Sequence, residues 1–444
     1  MVFSIIKKSQ LEGALRLDAE YYQPEYLELI NNLNRLKAIS VSDIAINPSR
    51  KFKPKQGEVF NYIEISEVDL STGEYSKTEI LGENAPDRAQ WIIKKGDIIV
   101  SMVRPIRNAV SLITEDIKNL VCSSGFAVLK SEKVEPEYLF VYLKSRPIVE
   151  LLNRRTTATM YPAVTIDDIL NTKIILGTPK FRQEVKNNVL KSQKELENSK
   201  LFYSQAENLL LEELGLKDFE NKESLFAIVN LSEVKKINRI DAEYFQSKYE
   251  KLISKIEVYK NGFDNFDNLI EISNVKTEVN PEKEYKYVEL ADVNENLGIV
   301  DKIQKIKGKE LPSRAKMKLQ KNDVIVSSVE GSTNKIALIN DDMQDLVGST
   351  GFFILKEKYF KPEVNLILMK SIIIKELLKR EAQGTILTAI PSSSLKRIIL
   401  PKLKDDIQRK IADSVKKSHN ARKKARQGLE EAKAKVEQLI EFKN

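Results

Sequence analysis

RLDAEYYQPEY occupies Arg16–Tyr26, and RIDAEYFQSKY occupies Arg239–Tyr249, so the second copy begins 223 residues after the first. Seven of the eleven positions are identical. Three further matches follow in the same order at offsets of 225 or 226 residues: NYIEISEVDLSTG with KYVELADVNENLG, RAQWIIKKGDIIVSMV with RAKMKLQKNDVIVSSV, and SSGFAVLK with STGFFILK. Solenoid repeats recur every 20–50 residues or so, and this period is far longer. The sequence therefore predicts a duplicated domain whose two halves share one fold.

The composition indicates a globular protein of several domains. The chain has 444 residues, of which 42% are hydrophobic and 31% charged, so we expect two to four domains. Its apolar runs fall short of the roughly 18–20 residues that span a bilayer, and the stretch MVFSIIKKSQLEG lacks the features of a signal peptide. The single cysteine, Cys122, excludes an internal disulfide and sits in an apolar setting. We expect a core thiol in a cytoplasmic protein with no membrane segment.

The secondary-structure pattern is also shared by the two halves. In the first half, Pro24 marks the expected start of a helix with apolar residues at helical spacing. Short β-branched runs such as VFNYIEI, GDIIVSMV, AVSLI and GFAVLK predict strands. The segments EYLFVYLKSRPIVELLNR and EVNLILMKSIIIKELLKR predict helices. The fold class expected for each half is therefore α+β.

Each half closes with a long helical segment. The run from Arg182 to Leu214 contains no Pro or Gly. Apolar residues there alternate at spacings of three and four, which is typical of a coiled-coil seam: Val185, Val189, Leu196, Tyr203, Ala206 and Leu210, with Ser192 and Ser199 in the polar gaps. The second seam is formed by Ile411, Val415, Ser418, Ala425, Leu429, Ala432, Val436 and Leu439, and Arg422 interrupts it.

The two long helices are expected to pack as an antiparallel pair. About 33 residues form a rod of about 50 Å, enough to hold two like domains apart as a spacer. The alternative is that each helix covers only its own domain.

The residues do not indicate a catalytic centre. The chain has neither GxxxxGK[ST] nor GxGxxG after a strand, which would hold a phosphate, and one Cys with one His is too few for a structural zinc site. The only histidine, His419, lies in the basic run KKSHNARKKAR, and we expect it to be a solvated helix residue. The net charge of +8 and the isoelectric point near 9.0 favour a polyanionic partner such as nucleic acid. The sequence thus predicts a binding protein.

This combination resembles the specificity subunit of type I restriction–modification systems. The resemblance is carried by the repeat, by KKGDIIVSMVRP and QKNDVIVSSVEG, and by the domain-closing stretches YPAVTIDDILNTKIILGTPKFRQEV and ILTAIPSSSLKRIILPKLKDDIQRKI, in which Pro179 and Pro401 precede the long helices. It implies two similar α+β target-recognition domains joined by an antiparallel coiled-coil pair, with a pseudo-two-fold internal repeat. The implied domains are residues 1–179 and 217–402, and the spacer helices are residues 180–216 and 403–444.

The resemblance also implies a division of labour among subunits. Each domain would read one part of a split, asymmetric target in double-stranded DNA, and the helical pair would set the spacing. This chain would be non-catalytic and would carry no cofactor. It would dock two methyltransferase (modification) subunits, joined by restriction/translocase subunits, and S-adenosylmethionine and ATP would belong to those partners.

Candidate DNA contacts lie where the two copies diverge beside matched strands. Arg and Asn side chains pair with guanine and adenine edges, and Lys, Ser and Thr reach phosphates. In the first half the candidates are Arg50, Lys51 and Lys53 of NPSRKFKPKQ, Arg104, Arg107 and Asn108 after DIIVS, and Arg154, Arg155, Thr156 and Thr157 of NRRTTATMY. In the second half they are Ser332, Thr333, Asn334 and Lys335, together with Gln383 and Thr385.

Two other classes of function remain open. A duplicated protein with coiled helices could be an adaptor between proteins, marked by a large exposed apolar patch. A self-contained DNA-modifying or DNA-cutting enzyme is disfavoured by the absent motifs. Salt separates DNA binding from an apolar interface, because only contacts to the phosphate backbone weaken steeply as salt rises.

Overall fold

The computed structural model describes residues 3–11, 16–157, 160–217, 228–381 and 390–441. The chain divides into two compact units. Unit 1 comprises Met1–Leu196 with Lys423–Asn444, and unit 2 comprises Glu197–Arg422. Because both boundaries fall inside long helices, each unit contains part of both.

The first α-helix of unit 1, α1, starts at Pro24 as the sequence predicts, because proline fixes φ at a helical value where no amide donor is needed. The helices of unit 1 are α1 (Pro24–Arg35), α2 (Pro136–Lys144), α3 (Arg146–Arg154), α4 (Ile166–Leu170) and the first part of α5 (Pro179–Glu213). Its strands are β1 (Ile39–Ser40), β2 (Ala45–Ile46), β3 (Val59–Ile63), β4 (Thr78–Leu81), β5 (Ala89–Ile92), β6 (Asp97–Ser101), β7 (Val110–Leu112), β8 (Leu120–Ser123), β9 (Phe126–Ser131) and β10 (Lys173–Ile174). Short 3-10 turns lie at Lys8–Gln10, Ala19–Tyr22, Val41–Asp43, Ile65–Glu67, Gly82–Asn84 and Pro105–Arg107.

Two four-stranded sheets form the body of unit 1. One has the order β2-β9-β6-β7 and the other has the order β4-β3-β8-β5, with β3 and β8 parallel. All five residues of β6 are buried, as expected of DIIVS in a central strand. Helices α2 and α3 cover the first sheet, and their buried apolar residues share one core with it. A further short ladder joins β1 to β10.

Unit 2 repeats this series of elements. Its helices are the rest of α5, α6 (Leu231–Ile237), α7 (Ser247–Glu257), α8 (Phe266–Leu269), α9 (Pro362–Lys370), α10 (Ile372–Glu381), α11 (Ser392–Leu395) and the first part of α12 (Asp405–Glu441). Its strands are β11 (Phe263–Asn265), β12 (Glu271–Ser273), β13 (Glu284–Val288), β14 (Val293–Asn294), β15 (Ile299–Val300), β16 (Gln304–Lys307), β17 (Ala315–Lys318), β18 (Val324–Ser327), β19 (Ile336–Leu338), β20 (Leu346–Ser349), β21 (Phe352–Lys356) and β22 (Ile399–Pro401). Its 3-10 turns are Leu290–Asp292, Gly308–Glu310 and Glu330–Ser332.

The two four-stranded sheets of unit 2 match those of unit 1 strand for strand. Their orders are β12-β21-β18-β19 and β16-β13-β20-β17, and β13 and β20 are again parallel. Even an irregularity is shared: the register shifts between Ala89 and Trp91 in β5, and between Ala315 and Met317 in β17. The predicted duplication is therefore confirmed at the level of strand order and register.

The long helices pack against each other inside each unit. In unit 1, Glu184 forms an ion pair with Lys435 at 3.6 Å, and a Cβ on Gly428 would lie 2.6 Å from the Ser192 Oγ. The pairing positions run in opposite directions along the two helices, so the arrangement is antiparallel. Apolar residues of both helices, including Val185 and Val436, join the unit 1 core.

The same antiparallel contact recurs in unit 2. The hydroxyls of Ser199 and Ser418 lie 3.2 Å apart in the buried seam, and Ser418 Oγ donates to the carbonyl of Ser199 at 2.7 Å. Arg422, expected to interrupt the seam, is itself buried. The predicted α+β class and the packed pair of long helices are confirmed, and the alternative of two helices that do not pair is excluded.

Two further expectations concern individual residues and membranes. Cys122 lies in β8 and is fully buried, and this burial raises the pKa of its thiol. Within the described ranges, no helix combines the length and the apolar character needed to cross a membrane.

Candidate nucleic-acid interface

The β6–β7 loop (residues 102–109) leaves the end of a fully buried strand. Arg104 and Asn108 flank its short 3-10 turn, and both have left-handed backbone angles, with φ of 49° and 61°. Asparagine tolerates this conformation, whereas arginine adopts it at a cost. The Asn108 Nδ2 donates to the carbonyl of Lys144 at 2.8 Å. Asn108 is thus engaged in holding the loop, and a DNA contact by its side chain stays a prediction.

Backbone hydrogen bonds join this loop to the described residues between α3 and α4 (155–157 and 160–165). The Arg104 amide donates to Pro162 O at 2.7 Å, and the Val164 amide donates to Met102 O at 2.9 Å. Thr157 and Ala163 exchange backbone hydrogen bonds at 3.0 and 3.2 Å. Two of the segments predicted from the sequence are therefore brought together as one surface.

The joined loops expose a mixed basic and apolar surface. Arg107 is exposed, and Ile106 beside it is 54% exposed. Met160 and Tyr161 are 78% and 66% exposed, and the Arg104 guanidinium lies 5.4 Å from the centre of the Tyr161 ring. Ile106 and Tyr161 were not singled out from the sequence, because their neighbours along the chain gave no sign that two distant loops would meet.

Arg154, in contrast, is buried and belongs to the frame of unit 1. Its guanidinium lies 3.7 Å from the centre of the Tyr21 ring, and its Nε donates to Tyr21 O at 2.6 Å. Arg16 forms a two-pronged ion pair with Asp18 at 2.8 and 2.7 Å, and its guanidinium also lies 4.4 Å from the Tyr21 ring centre. The repeated segment is thus a structural element that fixes the end of α3.

Its counterpart in unit 2 makes the same contacts. Arg239 pairs with Asp241 at 2.8 and 2.7 Å, and both Arg239 and Arg380 lie over the Tyr244 ring, at 4.4 and 4.1 Å from its centre. Arg380 Nε donates to Tyr244 O at 3.2 Å. This shared arrangement explains why nearly the same segment occurs in both halves of the sequence.

The neighbours of Arg154 have local partners as well. Arg155 Nη1 donates to Asp168 O at 2.7 Å, and Thr156 Oγ1 donates to Asn153 O at 2.8 Å. Thr157 is exposed. Of the four candidates in this run, Thr157 is the one whose side chain is exposed in the structure.

The basic segment near residue 50 lies at another part of unit 1. Arg50 Nη2 forms an ion pair with the Asp97 carboxylate, which is buried at the start of β6, whereas the β6–β7 loop leaves the other end of that strand. Burial raises the pKa of Asp97 against the opposing effect of the Lys94 amide and Arg50. Lys51 and Lys53 are exposed.

In unit 2 the β18–β19 loop (residues 328–335) takes the equivalent place. The Ser332 hydroxyl lies 2.9 Å from that of Ser327, and Thr333 is buried. Lys335 Nζ donates to Val293 O at 3.1 Å and pairs with Glu295 at 2.8 Å. Asn334 is exposed. Gln383 and Thr385 lie outside the described residues.

His419 differs from its expected role as a solvated residue. Its ring is stacked at 6.4 Å on that of Tyr203, and its Nε2 lies 3.0 Å from Leu297 O, to which it donates. Its Nδ1 lies 3.1 Å from Asn340 Oδ1. Burial is the main reason why the pKa of His419 is lowered to about 4. The expectation was wrong because one residue of a basic helix can still face the protein, and here His419 packs against Tyr203, Leu297 and Asn340.

Comparisons with known proteins agree with the resemblance seen in the sequence. No protein-family model matches the chain. The specificity subunit of the type I restriction enzyme HindI from Haemophilus influenzae is 27% identical over 154 residues, which are 34% of this chain and 33% of the relative. The match thus spans about a third of the length of the curated relative.

Two solved structures align over most of the chain at low similarity. The HsdS subunit from Thermoanaerobacter tengcongensis is 18% identical with a TM-score of 0.34, covering 90% of this chain and 95% of that one. A chain from a study of complex assembly and conformational transition of the type I R-M system is 19% identical with a TM-score of 0.33, covering 90% and 94%. The predicted resemblance is confirmed by the sequence match: over those 154 residues the chain is similar to the specificity subunit of a type I restriction enzyme.

Proposed function

We propose that the chain is the non-catalytic specificity subunit of a type I restriction–modification complex. Unit 1 and unit 2 each read one part of a split target in double-stranded DNA. In domain terms, residues 1–179 and 217–402 contain the readers, and the helical segments 180–216 and 403–444 set the number of unread base pairs between the two parts.

The observation that carries this proposal is a difference within a shared frame. The two units have the same strand orders and even the same register shift, yet the β6–β7 and β18–β19 loops differ in sequence and in side-chain contacts. A duplicated protein that reads an asymmetric target needs this combination. Folding requires both units to keep the same sheets, whereas each loop must match the bases of its own half of the target.

Exposed side chains of these loops, and of the separate basic segment near residue 50, suit base and phosphate contacts. Arg107 can donate two hydrogen bonds to guanine, and Asn334 can pair with the edge of adenine. Lys51 and Lys53 are suited to phosphates, which position a protein on the duplex. Ile106 and Tyr161 add apolar area, of the kind that packs against a thymine methyl.

The partners follow from the same duplication. Leu17 and Ile240 occupy matching positions of the repeated segment and are 82% and 87% exposed. Two equivalent apolar side chains on matching frames suit two copies of one partner, which we take to be the methyltransferase subunit. Restriction/translocase subunits would join that assembly, and S-adenosylmethionine and ATP would be bound by the partners.

The same exposed pair favours a second candidate, a protein adaptor without DNA readout. Selection from a random duplex library, using the full chain copurified with its methyltransferase partner, separates the two. The reader recovers two short motifs separated by a fixed number of unread bases, and its affinity falls steeply with salt. The adaptor recovers no motif, and what binding it has survives high salt.

A further inference from the structure

A buried lysine in unit 1 connects two separate backbone segments. Lys144 ends α2 and has no solvent-exposed surface. Its Nζ donates to Leu70 O at 2.8 Å and to Asn108 O at 2.9 Å. Its own carbonyl accepts a hydrogen bond from Asn108 Nδ2 at 2.8 Å. Lys144 and Asn108 therefore hold each other through both side chains.

This reciprocal contact fixes one end of the β6–β7 loop. Asn108 has its left-handed φ of 61° at the point where the turn Pro105–Arg107 ends. Arg107 and Ile106, the exposed side chains of the loop, immediately precede it. A change at Lys144 would therefore be transmitted to them through Asn108, although Lys144 itself is out of reach of any ligand on the surface.

The matching lysine of unit 2 keeps one of these three contacts, the one to the position equivalent to Leu70. Lys370 ends α9, and its Nζ donates to Glu295 O and to Asn296 O, the latter at 2.9 Å, beneath the Tyr203 ring at 4.9 Å. Asn334, which corresponds to Asn108, is exposed instead. The β18–β19 loop is tied to the 293–295 segment by Lys335.

Resting on the proposed function, we propose that Lys144 is a positioning residue for DNA reading by unit 1. It holds the β6–β7 loop through Asn108, so that Arg107 meets its base in one geometry. Lys370, the equivalent residue, is also buried, but its Nζ contacts the 295–296 segment instead of the β18–β19 loop, and we expect no such role for it in unit 2.

The test compares half-site preferences in the same random-duplex selection, with the full chain and its methyltransferase partner. Lys144→Met removes both Nζ contacts while keeping much of the apolar stem. Asn108→Gly removes the side-chain bond but keeps the left-handed backbone accessible. Lys370→Met is the matched control, and Arg107→Ala marks which of the two motifs belongs to unit 1. Thermal melting of each variant reports folding separately.

The expected result is selective. Discrimination at the positions marked by Arg107→Ala falls by about fivefold or more in Lys144→Met and Asn108→Gly, the lower end of what one paired base contact contributes. The other motif is unchanged, and Lys370→Met lowers the melting temperature while leaving both motifs sharp.

Three outcomes separate the possible failures. If the unmodified chain selects no split motif, the proposed function itself fails. If it does, and Asn108→Gly leaves the first motif as sharp as before, Lys144 is only structural and the inference is overturned, even where Lys144→Met does not fold. Equal broadening of the second motif by Lys370→Met would overturn it as well.

Discussion

The two units share their frame and differ in how each joins its variable loop to that frame. In unit 1 the loop is held by Asn108 and Lys144, and in unit 2 by Lys335 and a pair of serine hydroxyls. The buried acid at the N-terminal end of the central strand also changes its partner. Asp97 pairs with Arg50, whereas Asp323 pairs with Lys356 at 3.0 Å from the adjacent strand. Both units therefore pair the buried carboxylate with a cation, but the residue that supplies the cation comes from a different part of the chain in each unit.

The largest expected effect tests that exchange of cations. Arg50→Met leaves the Asp97 carboxylate buried without its ion pair, and we expect a loss of about 3–5 kcal/mol of stability in unit 1. The chain has one tryptophan, Trp91, which lies in unit 1, so urea unfolding followed by its fluorescence reports that unit.

Lys356→Met is the matched variant. It should destabilise unit 2 and leave the Trp91 transition in place, since the residue lies in the other unit. A Trp91 midpoint that shifts equally in both variants would show that the two units unfold together, and the comparison between them would then lose its meaning.

The second effect concerns two matched glycines. Gly73 and Gly298 have φ of 71° and 62°. A Cβ on Gly73 would lie 2.8 Å from both the Phe140 ring and the Val110 carbonyl, whereas one on Gly298 would meet the end of the Leu366 side chain at 2.6 Å. Backbone cannot move aside as a leucine methyl can.

We therefore expect Gly73→Ala to cost about 2–4 kcal/mol, from left-handed strain and overpacking together, and Gly298→Ala about 1–2 kcal/mol from strain. Hydrogen exchange of the strand amides in unit 1 and unit 2 measures these two losses of stability separately. Equal costs would mean that the loops around the two glycines are equally adaptable.

The third effect is a dependence on pH. Burial lowers the pKa of Lys144 to about 7, in a field that includes Lys433, Asp69 and Glu430, and it lowers the pKa of Lys370 to about 8. The unfolded chain, with an ordinary lysine pKa of 10.5, binds more protons between those values, so stability rises with pH. The rise per lysine is at most about 1.4 kcal/mol per pH unit.

We expect the Trp91 midpoint to increase from pH 7 to pH 9.5, and Lys144→Met to flatten that increase. Lys370→Met should leave it unaltered, because Lys370 belongs to the other unit. If the midpoint of Lys144→Met still rises with pH as steeply, the pH dependence comes from a titrating group other than Lys144.

The smallest effect is on the salt dependence of DNA binding. If Arg107 neutralises a phosphate, Arg107→Ala reduces the slope of log affinity against log salt by about 0.9. Lys133 is exposed and follows β9, near the end of the sheet opposite the β6–β7 loop. Lys133→Ala should keep the full slope. If Lys133→Ala lowers the slope as much as Arg107→Ala does, the β6–β7 loop is not the DNA-binding surface.

The frame could be predicted from the sequence because its signals are local or repeated. Pro24 marks the start of α1, the buried run DIIVS marks a central strand, and collinear matches at a nearly constant offset predict two equal folds. Helix α2 ends at Lys144, and α3 begins at Arg146 with Pro147 in its first turn.

The candidate site could be predicted only in part. The β6–β7 loop was found because it diverges beside a matched strand. Arg154 resembles an exposed cation in a polar run, and nothing near it in the sequence indicates that Tyr21 lies beneath its guanidinium. The pairing of Arg104 with Tyr161 and the engagement of Asn108 by Lys144 likewise depend on contacts between segments far apart in the chain.

The shared long helices have a consequence for the order of events on the ribosome. The core of unit 1 contains Leu429, Ala432, Val436 and Ile440, which lie in α12. More than 200 residues of unit 2 are translated between the two parts of unit 1, which takes on the order of 10–50 seconds at typical rates of synthesis. During that interval the apolar residues of α5 in unit 1 lack the α12 residues that cover them. The core of unit 1 can therefore be completed only after unit 2 has been translated.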